Sequence, residues 1–223
     1  MTFFEQLLDQ TREARESLLA APIIQDCLRG QVALPAYIAF LREAYNHVSH
    51  TVPLMQACRA RMPARLHWMQ EAIDEYIEEE TGHDAWILND LRALGVDTEE
   101  VRRAGPGAAT EIMVAYAYDT IARKNPIGFF GMVHVLEGTS VTLALNAADQ
   151  IQRALALPST AFSYLRSHGT LDQEHTAHFA ELMNCLEGAD DRAAVCHAAN
   201  MFYGLYGEIF RALPRSLPSG EAA

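Results

Sequence analysis

The sequence predicts an all-α protein built as one domain, and three observations carry that reading. Apolar residues recur at helical spacing along almost the whole chain, no Asn-Gly or similar turn joins two alternating segments as in a hairpin, and prolines and glycines cut the pattern into pieces of helix length. The chain has 223 residues, half of them hydrophobic, with a mean hydropathy of −0.04, which is ample material for a single core. No internal repeat, low-complexity linker or shift in composition divides it. The expected organisation is a helical domain over residues 1–213, with about seven helices, and a disordered tail over 214–223.

Each element has a local reason. A first amphipathic helix is expected from Thr2 to Ala20, with Phe4, Leu7, Leu8, Ala14 and Leu18 on one side. The stretch AAPIIQDCLRGQVAL reads as a connector, because Pro22 and Gly30 interrupt the pattern. A second helix runs from Pro35 towards Met62, bent at Pro53. After Pro63 a long third helix continues to Leu94, with Gly95 as its C-terminal stop. RRAGPGAAT is the clearest loop, and a fourth helix, Ala109 to Arg123, ends before Asn125-Pro126. A fifth runs from Ile127 to Leu155, Pro158 introduces a sixth region from Ser159 to Leu186, and the last runs from Asp191 to Leu213, ending at Pro214.

Charge narrows the function. Seventeen Lys and Arg against 29 Asp and Glu give a net charge of −12, which repels phosphate backbones and anionic lipid, so neither nucleic acid nor a membrane surface is an expected partner. No apolar run approaches the roughly 20 residues of a membrane span. The opening MTFFEQLLDQTREAR places charges where a signal peptide needs an apolar stretch. Cys27, Cys58, Cys185 and Cys196 show no CxxC spacing, which fits a reducing compartment, and the expected location is the cytoplasm.

Carboxylates and imidazoles recur at helical spacings. Glu80 and His83, and Asp172 and His175, are i, i+3 pairs, so each pair points from one helix face as a metal requires. Random sequence of this composition gives roughly one such pair, so two are weak support alone. His168, Asp172 and His175 form HxxxDxxH on a single stripe, a pattern expected by chance about two times in a hundred, and its donors suit iron, manganese or zinc. Glu43 in FLREAYNHVSH and Glu137 in the apolar segment GFFGMVHVLEGTSVTLAL complete a set, because a lone carboxylate on such a helix is costly to bury without a cation or hydrogen bonds. One Glu from each of two helices and an acid–His pair from each of two others is the inventory of a dinuclear carboxylate-bridged site. Glu79, at i−4 from His83, is the alternative to Glu80, and His47 reads as a satisfied polar residue rather than a ligand. Gly169 inside the triplet costs the helix about 1 kcal/mol against Ala.

The segments EEETGHDAWILNDLRALG and HGTLDQEH, with an isolated Glu in an apolar helix between them, resemble the haem-oxygenase-like di-iron oxidases and oxygenases, often labelled iron-containing redox enzymes. The likeness spans about residues 1–213, and the intervals agree: His83 precedes Glu137 by 54 residues, and Glu137 precedes His168 by 31. The resemblance implies a compact seven-helix bundle shared with haem oxygenase, the TenA thiaminases and the cofactorless oxidase that completes pyrroloquinoline quinone. It implies two iron ions held by Glu43, Glu80, His83, Glu137, His168, Asp172 and His175, with dioxygen as co-substrate. In one relative the second-helix Glu lies seven residues before the His; that position here is Tyr76, so Glu80 is kept. No cysteine lies between Cys58 and Cys185 to serve a thiaminase, and no histidine precedes His47 to bind haem from the first helix.

The expected function is therefore an O2-activating non-haem di-iron oxidase or oxygenase acting on a small molecule, amino-acid-like or a carboxylic acid, in a biosynthetic pathway. An electron donor is an expected partner, and a homodimer follows only from base rates. The substrate pocket is expected inside the bundle, lined from Tyr116–Phe130 and Phe202–Tyr206, with Arg123 or Lys124 as a carboxylate partner. The alternative is a metal-independent enzyme or small-molecule-binding protein of the same fold.

Overall fold

The computed structural model describes residues 1–215, apart from the side chains of residues 170–174. Among the described residues there are twelve α-helices and no strand: α1 Phe3–Gln10, α2 Arg12–Leu19, α3 Pro22–Leu28, α4 Leu34–Val48, α5 Thr51–Arg61, α6 His67–Glu80, α7 His83–Ala93, α8 Thr98–Ala104, α9 Ala108–Arg123, α10 Phe129–Leu155, α11 Ser163–Asn184 and α12 Ala189–Ala212. The all-α expectation holds, and the larger count arises because three expected rods are each broken in two. Thr11 interrupts the first: its hydroxyl donates to the Leu7 carbonyl at 2.7 Å, inside the core. The second breaks at Ser49–His50 rather than at Pro53, which lies in the first turn of α5. A proline ring clashes with the carbonyl four residues back, here that of Ser49, so the helix ends there. The third breaks at Thr81–Gly82, where Gly82 takes a φ of 93° that a side chain would oppose.

Two expected connectors are helical, α3 and α8. α3 opens on Pro22, whose missing N–H costs nothing in a first turn, and α8 is capped by Asp97. Gly95 stops α7 as expected, with Val96 N bonding back to the Leu91 carbonyl at 3.0 Å. Of the expected tail, Arg215 pairs with Asp26 on α3 at 2.7 Å; residues 216–223 lie outside the described residues.

α10 is the hub, packed against α11 on one side and α12 on another, while α12 also covers α2 and α9 and α4 lies on α7. A β-carbon at Gly169 would stand 2.8 Å from Leu145, so this glycine is what lets α11 approach α10 so closely. The segment Pro126–Leu155 is apolar enough by composition to cross a membrane, with a mean hydropathy of 1.3 over its most apolar window, yet 67% of that window is buried inside the bundle. Its apolarity is that of a core helix.

The apolar interior falls into two clusters, and the seam between them places the site. Along α10 the first cluster runs to Val135 and the second begins at Ala144; along α11 the second runs to Leu165 and the first resumes at Phe179; from α6 to α7 the first ends at Tyr76 and the second begins at Ile87. Between those limits lie Glu137 and Ser140, His168 and His175, and Glu79, Glu80 and His83.

Candidate metal centre

Glu80 is the last residue of α6 and His83 the first of α7, so the pair does not share one continuous helix face as its spacing suggests. The left-handed Gly82 between them folds the chain so that the two still meet, His83 Nδ1 lying 2.9 Å from Glu80 Oε2. Both are buried, and the His83 ring stacks on Trp86 with centroids 4.0 Å apart. His168 comes from α11, its ring 4.8 Å from that of His83 and held between Trp86 and Tyr164. One ligand atom from each of Glu80, His83 and His168 lies within 4.8 Å of the others.

A second grouping lies along the same face of α11. His175 Nε2 is 3.1 Å from Glu79 Oε2, its Nδ1 is 3.9 Å from Glu137 Oε1, and Tyr76 packs edge-on against its ring. Glu79 and Glu80 are therefore not alternatives for one histidine: about 100° apart on the helix, they face His175 and His83 respectively. The side chain of Asp172 lies outside the described residues.

Glu43 is not brought to either grouping, and here the structure corrects the expectation. Its carboxylate accepts from Gly107 N at 3.1 and 3.2 Å and from the Thr110 hydroxyl. The reason is local: α9 starts from a glycine with no side chain to cap it, so the half-buried Glu43 closes that N-terminus from α4. One turn further along α4, His47 was the residue to watch. It is 2% exposed, its Nδ1 has no hydrogen-bond partner among the described residues, and it faces Tyr206 edge-on. Burial, then the charges of His168 and His50, push its pKa down to about 3, so the imidazole is neutral. His47, Glu80, Glu137, Ser140, His168 and Tyr206 line one cavity of about 640 Å³. The available signal was position: His47 is i+4 from Glu43 on an otherwise apolar face.

The expected pocket residues divide. Phe129 and Tyr206 line this cavity, whereas Tyr116 and Phe202 pack on each other with centroids 5.1 Å apart in the core. Arg123 pairs with Asp119 on an exposed turn and Lys124 sits 4.9 Å above the Tyr116 ring, so neither is a wall of the cavity.

The donor set fits a cation. Taking a carboxylate from water costs several kcal/mol, and a single hydrogen bond to it returns only about 2 kcal/mol. Glu80 with two imidazoles, and Glu79 and Glu137 around a third, offer the oxygen and nitrogen donors that suit iron, manganese or zinc.

Comparison with known proteins gives the fold and the family. No curated protein matches the sequence. The fold is shared with a domain of haem-oxygenase-like fold from Shewanella denitrificans (22% identity, TM-score 0.82, covering 93% of this chain and 90% of that one). It is shared also with a TenA homologue from Pseudomonas syringae pv. tomato (13%, 0.79, 93% and 91%) and with haem oxygenase-1 from Synechocystis, solved with haem (13%, 0.75, 94% and 91%). At such identities the likeness is one of fold. The family model for iron-containing redox enzymes matches residues 38–207, a span that holds every residue of both groupings, and the chain belongs to that family.

Proposed function

We propose that this protein is an O2-activating non-haem di-iron oxidase or oxygenase acting on a small molecule. The observation that carries the reading is the buried grouping of Glu80, His83 and His168, with Glu79, Glu137 and His175 beside it on the seam between the two cores. One ion would be held by the first set and one by the second, and Asp172, between the two histidines of α11 in sequence, is a further ligand the sequence proposes. Ferrous iron bound there supplies electrons to dioxygen next to the substrate.

The chain's own residues do the rest. The imidazoles of His83, His168 and His175 bind as neutral donors, and His83 is oriented through its Nδ1 contact with Glu80. Trp86 and Tyr164 wall the first set and limit water beside it. We further propose a cytoplasmic enzyme with a small-molecule substrate and an external electron donor, without nucleic-acid or membrane partners, as a net charge of −12 favours.

The test is anaerobic reconstitution with ferrous iron, a count of bound metal, then admission of O2 while the optical spectrum is followed. Two irons per chain and a transient visible band are expected. Failure to retain iron, or uptake unchanged by His83→Ala and His175→Ala together, would falsify this reading and favour the metal-independent enzyme of the same fold.

A further inference from the structure

A second, larger cavity adjoins the cluster. It lies among α3, α4, α10 and α12 and encloses about 1010 Å³, counting the space at its open mouth. Its walls are aliphatic and aromatic, with Ile24, Ala36, Phe40, Leu143, Ala147 and Phe210 among them. Asp26 and Arg215, the acid and the guanidinium that line it, neutralise each other, Arg215 Nη2 lying 2.7 Å from Asp26 Oδ2. At the opposite end the cavity shares Ser140, Tyr164, His168 and Tyr206 with the smaller cavity that contains Glu80 and Glu137. Two polar atoms at that junction are buried without a hydrogen-bond partner among the described residues: His47 Nδ1 in the smaller cavity and Ser140 Oγ in both.

These features select a ligand shape. An unpaired buried polar atom is costly, and a ligand that supplies its partner recovers the cost. A zwitterion lying along the large cavity would bring charges that its walls do not pair, whereas a hydrocarbon chain needs no partner there. We propose that the substrate is an amphiphile with one unbranched aliphatic chain: the chain fills the apolar cavity towards the Asp26–Arg215 pair, and a single small polar head lies at the cluster end, hydrogen-bonded to His47 and Ser140. This rests on the functional reading above for what is done to the head; the chain-binding cavity stands apart from the metal.

The experiment is calorimetric binding of straight-chain alcohols, amines and carboxylates from hexyl to dodecyl to the full chain, metal-free and loaded anaerobically with ferrous iron. Affinity should rise about fourfold per added methylene until the cavity is filled, in both forms. Two bulky substitutions on different walls, Ala147→Phe on α10 and Val32→Trp in the loop before α4, should lower dodecyl binding at least about tenfold and leave hexyl binding unchanged. His47→Leu should weaken every head-bearing probe about three- to tenfold while keeping the same dependence on chain length. The head class that gains most from iron identifies the polar group. Affinity independent of chain length, or dodecyl binding untouched in both bulky variants, overturns the proposal. Chain-dependent binding by a protein that retains no iron supports the cavity assignment and removes the di-iron reading alone.

Discussion

Acids that pair across this molecule fall into two groups with different neighbours. Asp90, Asp191 and Glu43 tie the fold together. Asp90 accepts from Ser163 N and Tyr164 N, at 2.8 and 2.9 Å, and from the Ser163 hydroxyl, and so closes the start of α11. Asp191 is held by Arg65 and by Asn125 Nδ2 at 2.7 Å, and Glu43 closes the start of α9. Glu79, Glu80 and Glu137 instead face imidazoles. An acid whose charge is met by a guanidinium or by helix N–H groups is finished as a structural element; one that faces imidazoles, themselves metal donors, sits among groups that can share a cation with it. The difference teaches that the kind of partner, more than burial, separates scaffold from site.

The largest way to break the comparison is on the site side. His83→Ala removes a donor that belongs to neither apolar cluster, so iron uptake and O2 consumption should fall at least about a thousandfold, equivalent to about 4 kcal/mol, while the helical circular dichroism stays the same. On the scaffold side, Asp90→Ala leaves the Ser163 and Tyr164 N–H groups unmet, while the Ser163 hydroxyl keeps the Trp86 carbonyl at 3.2 Å. Denaturant titration should show a loss of about 3 kcal/mol, with the iron count of the folded protein unchanged.

An imidazole outside the site sharpens the contrast. His134 stacks on Phe179 and meets Tyr203 edge-on, and burial pushes its pKa down to about 4. Between pH 6.5 and 4 the unfolded chain therefore takes up a proton at this ring that the folded protein does not. Stability falls as pH drops through that window, by up to about 1.4 kcal/mol per pH unit from this one group. Replacing His134 by Phe should flatten the slope by that amount; an unchanged slope would show that the ring is already protonated in the folded protein. The smallest effect is expected at Glu43→Gln. Two bound irons should remain, and the unfolding free energy should drop by about 1 kcal/mol as the start of α9 loses its charged cap. Loss of one iron would return Glu43 to the site.

Much of this was readable before any coordinates. The periodic apolar stretches of α9 to α12 and the Gly95 stop are local properties, and local physics announces them. The breaks at Thr11 and Ser49 were hidden because a threonine back-bond and a proline clash act at one residue, inside an unbroken apolar pattern. Glu80 and His83 were paired for a reason that proved incomplete: they meet across a left-handed glycine and not along a helix. Glu43 and His47 exchanged roles because one stripe of α4 holds both, and sequence does not say which end of the stripe faces a helix terminus and which faces the cavity. The seam itself leaves a trace, since four helices, α6, α7, α10 and α11, carry His or Glu where the apolar residues of one cluster give way to the other.

The adjacency of Glu79 and Glu80 has a consequence for how such a chain can vary. Each residue added to or removed from α6 turns everything beyond it by about 100°. A single deletion between Pro63 and Glu79 would bring Glu80 where Glu79 now stands and Thr81 where Glu80 stands, leaving His83 without its carboxylate. Insertions around α8, or in the loop between α10 and α11, disturb no such pairing. Relatives that keep this chemistry should therefore differ freely in length around α8 and between α10 and α11, and hold the interval from Pro63 to His83 fixed to the residue.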